Sequence, residues 1–79
     1  MSNSEDGRIK YLVEENEILA PRVVAVGTKR DPNGVQDVTW LTFRYLNEIQ
    51  SVSVARRPEA TPEEVATELV RLALDRLNS

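Results

Sequence analysis

The sequence predicts an α+β domain, in which a C-terminal amphipathic helix packs on one face of a three-stranded antiparallel sheet. Residues 61–78 carry apolar side chains at helical spacing, and the wide apolar face of this helix needs a flat apolar partner. Three runs rich in β-branched and aromatic residues precede the helix and are separated by turn residues. A chain of 79 residues forms one domain with a small core. We expect this domain over residues 8–79, after a disordered polar tail over residues 1–7.

Residues 8–20 fit two structures, and the order of the elements depends on them. Apolar residues recur at helical spacing between Ile9 and Leu19, which favours a helix that ends before Pro21 and gives the order αβββα. The alternation from Ile9 to Val13 also fits a strand followed by a turn, which gives the order ββββα. We expect the helix, because the glutamates of this segment favour it.

Three predicted strands follow in sequence. The first, at residues 23–26, leads into a turn-rich loop in which residues 33–34 allow the chain to reverse. The second strand covers residues 35–46 and the third covers residues 49–56, with residues 47–48 as the two-residue turn between them. This turn sets the predicted pairing of the second and third strands.

The predicted pairing gives this hairpin two different faces. Phe43 pairs with Val52 and Leu41 pairs with Val54, so that their side chains lie on the same face. This face is apolar and suits the helix, whereas a slip of one residue would place polar side chains there instead. The residues on it are Leu41, Phe43, Tyr45, Val52 and Val54.

The C-terminal helix has a well-marked start. Thr61 is predicted as its N-cap, and Glu64, three residues later, completes a capping box. Pro62 occupies the first helical position, where a missing N–H group has no cost. These signals predict a helix over residues 61–78.

The composition excludes several kinds of site. The chain has no cysteine and no histidine, which rules out disulfides, Cys/His zinc sites, thiol nucleophiles and imidazole acid–base catalysis. We therefore expect a protein that is not an enzyme and that uses no metal or cofactor. No apolar run approaches the roughly 20 residues of a membrane span, and the N-terminal residues do not resemble a signal peptide, so we expect a cytoplasmic protein without a membrane partner.

Charge is unevenly distributed along the chain. Residues 1–20 and 58–79 each hold five acids and two bases, whereas residues 21–57 hold six bases and three acids. The bases of this middle segment are candidates for contacts with an anion or with nucleic acid, unless the acidic flanks neutralise them in the folded protein. The candidates are Arg22, Lys29, Arg30, Arg56 and Arg57, which together with Arg44 give the alternative prediction of a nucleic-acid-binding domain that uses residues 22–57.

The second face of the hairpin carries the single tryptophan of the chain. Trp40 lies there beside Arg44, and tryptophan and arginine are enriched at interface hot spots. If residues 8–20 cover this face, Trp40 belongs to the core; otherwise it is free for a partner. The favoured function is a small adaptor or inhibitor that binds a larger protein, with a homodimer through the same face or through a free sheet edge as an alternative. The predicted partner-binding residues are Trp40, Thr42, Arg44, Ser51 and Ser53.

The order αβββα resembles that of the double-stranded-RNA-binding domain over most of the chain. That family binds RNA through a Gly-Pro-x-His loop and a lysine cluster at the start of its last helix. Here the loop holds Asp31-Pro32-Asn33-Gly34 and the helix start holds Glu59-Ala60-Thr61-Pro62-Glu63-Glu64, so the histidine is missing and acids replace the lysines. The resemblance therefore implies the order of elements and not RNA binding in that mode.

Overall fold

The computed structural model describes residues 3–30, 33–34 and 36–78. Its element order is αβββα, as predicted, and the alternative order ββββα is wrong. A short 3-10 helix at Ala20–Arg22 precedes the first strand. None of the helices in the described residues is long and apolar enough to cross a membrane. The elements are α1 (Asn3–Glu14), β1 (Val23–Arg30), β2 (Asp37–Tyr45), β3 (Glu48–Arg56) and α2 (Pro62–Asn78).

The sheet is antiparallel with the strand order β1-β2-β3, and both helices pack on one face of it. Helix α1 contacts β1, helix α2 contacts β2 and β3, and the two helices contact each other. Along β2, Leu41 and Phe43 are fully buried beneath the helices, whereas Trp40 is half-buried and Arg44 is exposed. The core therefore lies between the sheet and the helical layer. Its buried residues are Ile9, Val13, Leu19, Leu41, Phe43, Val52, Val65, Ala66, Leu69 and Ala73.

Helix α1 begins at Asn3, so its first turn lies within the segment, residues 1–7, that is predicted to be a disordered tail. Glu5 and Asp6 favour a helix N-terminus electrostatically. The sheet also holds both carboxylates, since Arg56 donates a hydrogen bond to Glu5 (2.7 Å) and Thr28 donates one to Asp6 (2.7 Å). Residues 1–2 of the predicted tail lie outside the described residues.

Helix α1 also ends earlier than the predicted limit at residue 20. The side chain of Asn16 accepts hydrogen bonds from the backbone N–H groups of Ile18 (3.0 Å) and Leu19 (3.1 Å). Such side-chain bonds offer the backbone an alternative to the helical pattern. Leu19 is fully buried although it lies outside the helix. Its place in the apolar pattern therefore arises from its position in the core and not from a longer helix.

The predicted pairing of β2 with β3 is wrong by two residues. Leu46 and Asn47 form the turn, so that Phe43 pairs with Gln50 and Leu41 pairs with Val52. Because side chains alternate with a period of two, a shift of two residues leaves each side chain on its predicted face. The turn is hard to predict because Leu46 has a φ of 58°, a left-handed conformation that leucine rarely adopts.

The left-handed Leu46 leads to a prediction about stability. Glycine adopts a positive φ without the steric cost that leucine carries, and Leu46 is 80% exposed, so its replacement removes little packing. We expect Leu46→Gly to raise the free energy of unfolding by about 0.5–1 kcal/mol in urea denaturation. Asn47→Gly should lower it, since the φ of Asn47 is not positive. A loss of stability in both variants would contradict the prediction.

Helix α2 starts with the predicted capping box. The backbone N–H of Glu64 donates to Thr61 Oγ1 (3.2 Å), and the backbone N–H of Thr61 donates to Glu64 Oε1 (2.9 Å). Arg8 of α1 donates to the neighbouring Glu63 (2.6 Å), and this hydrogen bond holds the pKa of the Glu63 carboxyl below its ordinary value of 4.5. The ion pair joins α1 to the first turn of α2.

Candidate interaction surface

The sheet face opposite the helices, which we call the open face, is the candidate functional surface. Because α1 packs beside α2 on the other face, it leaves Trp40 uncovered. The five predicted partner-binding residues all lie on this one surface. The open face consists of Ala25, Gly27 and Lys29 of β1, of Val38, Trp40, Thr42 and Arg44 of β2, and of Ile49, Ser51, Ser53 and Ala55 of β3.

Trp40 lies flat on the sheet, and Gly27 makes this conformation possible. Gly27 pairs with Trp40 across the two strands, and a Cβ atom at Gly27 would come within 2.9 Å of Trp40 Cε2. No real Cβ makes so close a contact, so any other residue at this position would displace the indole ring. The ring is therefore held against the backbone of β1, where it is half-buried and still accessible from the open face.

Hydroxyl groups occupy β3 beside the tryptophan. Ser53 pairs with Trp40 across the strands, and Ser51 pairs with Thr42. The hydroxyl groups of Thr42 and Ser51 are hydrogen-bonded to each other at 3.0 Å. Each of these hydroxyl groups retains capacity to donate or accept a further hydrogen bond. The open face thus combines one aromatic ring with short, well-positioned polar groups.

The charges on the open face are all positive. Lys29 and Arg44 are exposed there, and no acidic residue lies among the eleven residues of the surface. Within the part of the chain that the structure describes, neither cation forms an ion pair with a carboxylate. Their charges are therefore available to an acidic partner.

Two exposed aliphatic residues extend the open face at the β2–β3 turn. Ile49 is 58% exposed and pairs with Arg44, and Leu46 in the turn is 80% exposed. The alternating sequence pattern places Ile49 on this face, although Ile49 is not among the five predicted partner-binding residues. The structure shows that the apolar part of the surface is larger than Trp40 alone.

The residues predicted to contact an anion do not form one surface. Arg22 lies in the 3-10 helix, where it donates to the backbone oxygen of Arg44 (3.5 Å), and Lys29 lies on the open face. Three others gather on the helical side of the sheet, around one cleft, and each has a carboxylate within 4.0 Å. These three are Arg30, Arg56 and Arg57.

The order αβββα, which the chain shares with the double-stranded-RNA-binding domain, is confirmed. A scan against protein-family models and searches of curated proteins and of solved structures find no match to this chain. The likeness to that family therefore concerns the order of elements alone. The geometry of the open face is the basis for a functional proposal.

Proposed function

We propose that this chain is a non-enzymatic interaction module of the cytoplasm, an adaptor or inhibitor that binds a larger protein through its open face. One observation carries the proposal: the indole of Trp40 lies flat on an uncovered sheet face that also carries Lys29 and Arg44, two cations that have no carboxylate partner among the described residues. The residues assigned to the contact are Trp40, Thr42, Arg44, Ser51 and Ser53, with Ile49 added from the structure.

This arrangement favours binding because the surface is ordered before the partner arrives. The ring of Trp40 is confined by β1, and the hydroxyl groups of Thr42 and Ser51 fix each other. Ordering side chains on association costs about 0.5–1.5 kcal/mol for each flexible group, so a surface that is already ordered avoids part of that cost. The partner should present an apolar patch to Trp40 and Ile49 and a carboxylate to Arg44.

A protein partner is favoured over nucleic acid by the distribution of the cations. Nucleic-acid binding needs several cations on one surface to contact successive phosphates. Here the open face carries Lys29 and Arg44, whereas Arg30, Arg56 and Arg57 lie on the helical side beside acids. Face-to-face pairing of two copies is disfavoured as well, because it would bring the same cations together.

Replacing Trp40 tests the proposal. We expect Trp40→Ala to remain folded, because the ring lies outside the core, and to weaken binding of the partner at least about tenfold. The matched control is Tyr11→Ala, which removes an aromatic side chain that is 62% exposed on α1. A protein retained on immobilised wild-type chain and on the Tyr11 variant, but lost from the Trp40 variant, would be the partner.

The same experiment separates the competing functions. Unfolding of Trp40→Ala, followed by circular dichroism, would show that Trp40 belongs to the core and would contradict the proposal. Nucleic-acid binding would be favoured instead if mixed duplex DNA or RNA changes the amide chemical shifts of the open face and if these changes become much smaller as salt is added. A mass that doubles with concentration in light scattering would favour a homodimer.

A further inference from the structure

A cleft of about 640 Å³, lined largely by charged residues, lies at the end of the sheet that is distant from the β2–β3 turn. The last residue of β1, the first of β2 and the last of β3 meet there, and the first turn of α1 closes one side. This volume accommodates a small organic ligand. Among the described residues, the charged members of the lining are Glu5, Asp6, Arg30, Asp37, Arg56 and Arg57.

Arg56 is the central cation of the cleft. Its side chain is only 12% exposed, and its Nη2 atom donates to Glu5 Oε1 at 2.7 Å. Arg30 lies 3.8 Å from Asp37, and Arg57 lies 4.0 Å from Glu59. Because a largely buried guanidinium without a counterion is strongly unfavourable, Arg56 requires an anion, and Glu5 currently provides it.

The carboxylate of Glu5 is the replaceable part of this arrangement. Its side chain is 60% exposed and belongs to the first turn of α1, where helices fray most readily. The next residue, Asp6, is held more firmly, because it accepts a hydrogen bond from Thr28, whose hydroxyl also bonds the fully buried Thr39 (3.2 Å). Glu5 can therefore turn away from Arg56 while the helix stays in place.

We infer that this cleft binds a phosphate monoester, and that Glu5 competes with the ligand for Arg56. A ligand that carries only a carboxylate should not displace Glu5 from Arg56, because Glu5 belongs to the same chain and so has a high effective concentration at Arg56. A phosphate monoester carries nearly two negative charges and three acceptor oxygens, and guanidinium groups pair with phosphate through two parallel hydrogen bonds. Arg30 and Arg57 line the same cleft as Arg56, so the additional charge and oxygens of a phosphate are attracted by three guanidinium groups.

The site is independent of the proposed protein interaction. The cleft lies on the helical side of the sheet, and none of the described residues in its lining belongs to the open face. Trp40→Ala should therefore leave phosphate binding unchanged, so that failure of either proposal is recognised separately.

An NMR titration of amide shifts at constant ionic strength tests the inference. The probes are inorganic phosphate, phosphoserine and adenosine monophosphate, which differ only in what the phosphate is attached to. We expect Glu5→Gln to bind phosphate about fivefold more tightly than the wild type, because the competing charge is gone. The matched control, Glu15→Gln, makes the same change of charge at an exposed position outside the cleft and should leave the affinity unchanged.

The arginines give the opposite expectation. Arg56→Gln should abolish saturable binding, and Arg30→Gln should weaken it severalfold without unfolding the chain, since the Arg30 side chain is 80% exposed. Tighter binding of phosphoserine than of inorganic phosphate would identify the ligand as a phosphorylated serine, and tighter binding of adenosine monophosphate would identify it as a nucleotide. Absence of saturable shifts in Glu5→Gln, or an equal gain in Glu15→Gln, would overturn the inference.

Discussion

Phe43→Ala is expected to lower the free energy of unfolding by about 3–5 kcal/mol. Phe43 is fully buried and is the largest of the fully buried side chains, so alanine would leave a cavity that the surrounding residues fill only in part. Small domains have a total stability of about 5–15 kcal/mol, and one of this size lies near the lower limit. Urea denaturation followed by circular dichroism measures the change. If the loss approaches the total stability of the domain, a large fraction of the variant should be unfolded even without urea.

The control for this variant lies on the other face of the same sheet. Ile49→Ala removes an aliphatic side chain that is 58% exposed and should change the free energy of unfolding by less than about 1 kcal/mol. A loss of similar size in both variants would mean that the open face is also packed, which the structure contradicts. A loss below about 1 kcal/mol for Phe43→Ala would place the core elsewhere.

Gly27→Val is expected to displace the indole of Trp40 and to weaken binding of the proposed partner about thirtyfold, which is the size expected for loss of an interface hot spot. Even a Cβ atom at position 27 would come within 2.9 Å of Trp40 Cε2, so valine fills the space that the ring now occupies. The chain should stay folded, because valine is favoured in strands and the ring can turn into solvent. Trp40 is the only tryptophan, so its fluorescence should shift to longer wavelength.

Ala25→Val is the matched control for that variant. It adds similar bulk to the open face of the same strand, but position 25 pairs with Thr42 and not with Trp40. The fluorescence of this control should therefore equal that of the wild type. Unchanged fluorescence in Gly27→Val, with the chain folded, would show that the ring does not lie on β1 in solution.

The element order and the two faces of the sheet could be predicted from the sequence, because both depend on periodicity. The apolar alternation in β2 assigns Phe43 to the helical face and Trp40 to the other, and this assignment is unaffected by an error of two residues in pairing. The pairing itself depended on the turn. A positive φ at a turn is usually indicated by glycine, asparagine or aspartate, but here the residue that adopts it is Leu46.

Other parts of the structure depend on contacts that are distant in sequence. The polar residues of the first turn of α1 predict a disordered tail, whereas in the structure Arg56 and Thr28 donate hydrogen bonds to the carboxylates of this turn. Likewise, Lys29 and Arg30 are both predicted candidates for anion contacts, but they are adjacent residues of β1 and so point to opposite faces of the sheet. The cleft around Arg56 is formed by four separate segments, so no local pattern could indicate it.

The separation of charge between the two layers has a consequence for the kinetics of binding. The helical segments and their flanks, residues 1–20 and 58–79, hold ten acids and four bases, whereas the charged residues of the open face are Lys29 and Arg44. The molecule is therefore an electric dipole, with its positive end on the surface proposed for the partner. An acidic partner would turn the molecule into the productive orientation before contact, so the association rate constant falls as salt is added. If the proposed contact through Trp40 and its apolar neighbours holds the complex together, the dissociation rate constant should change little with salt.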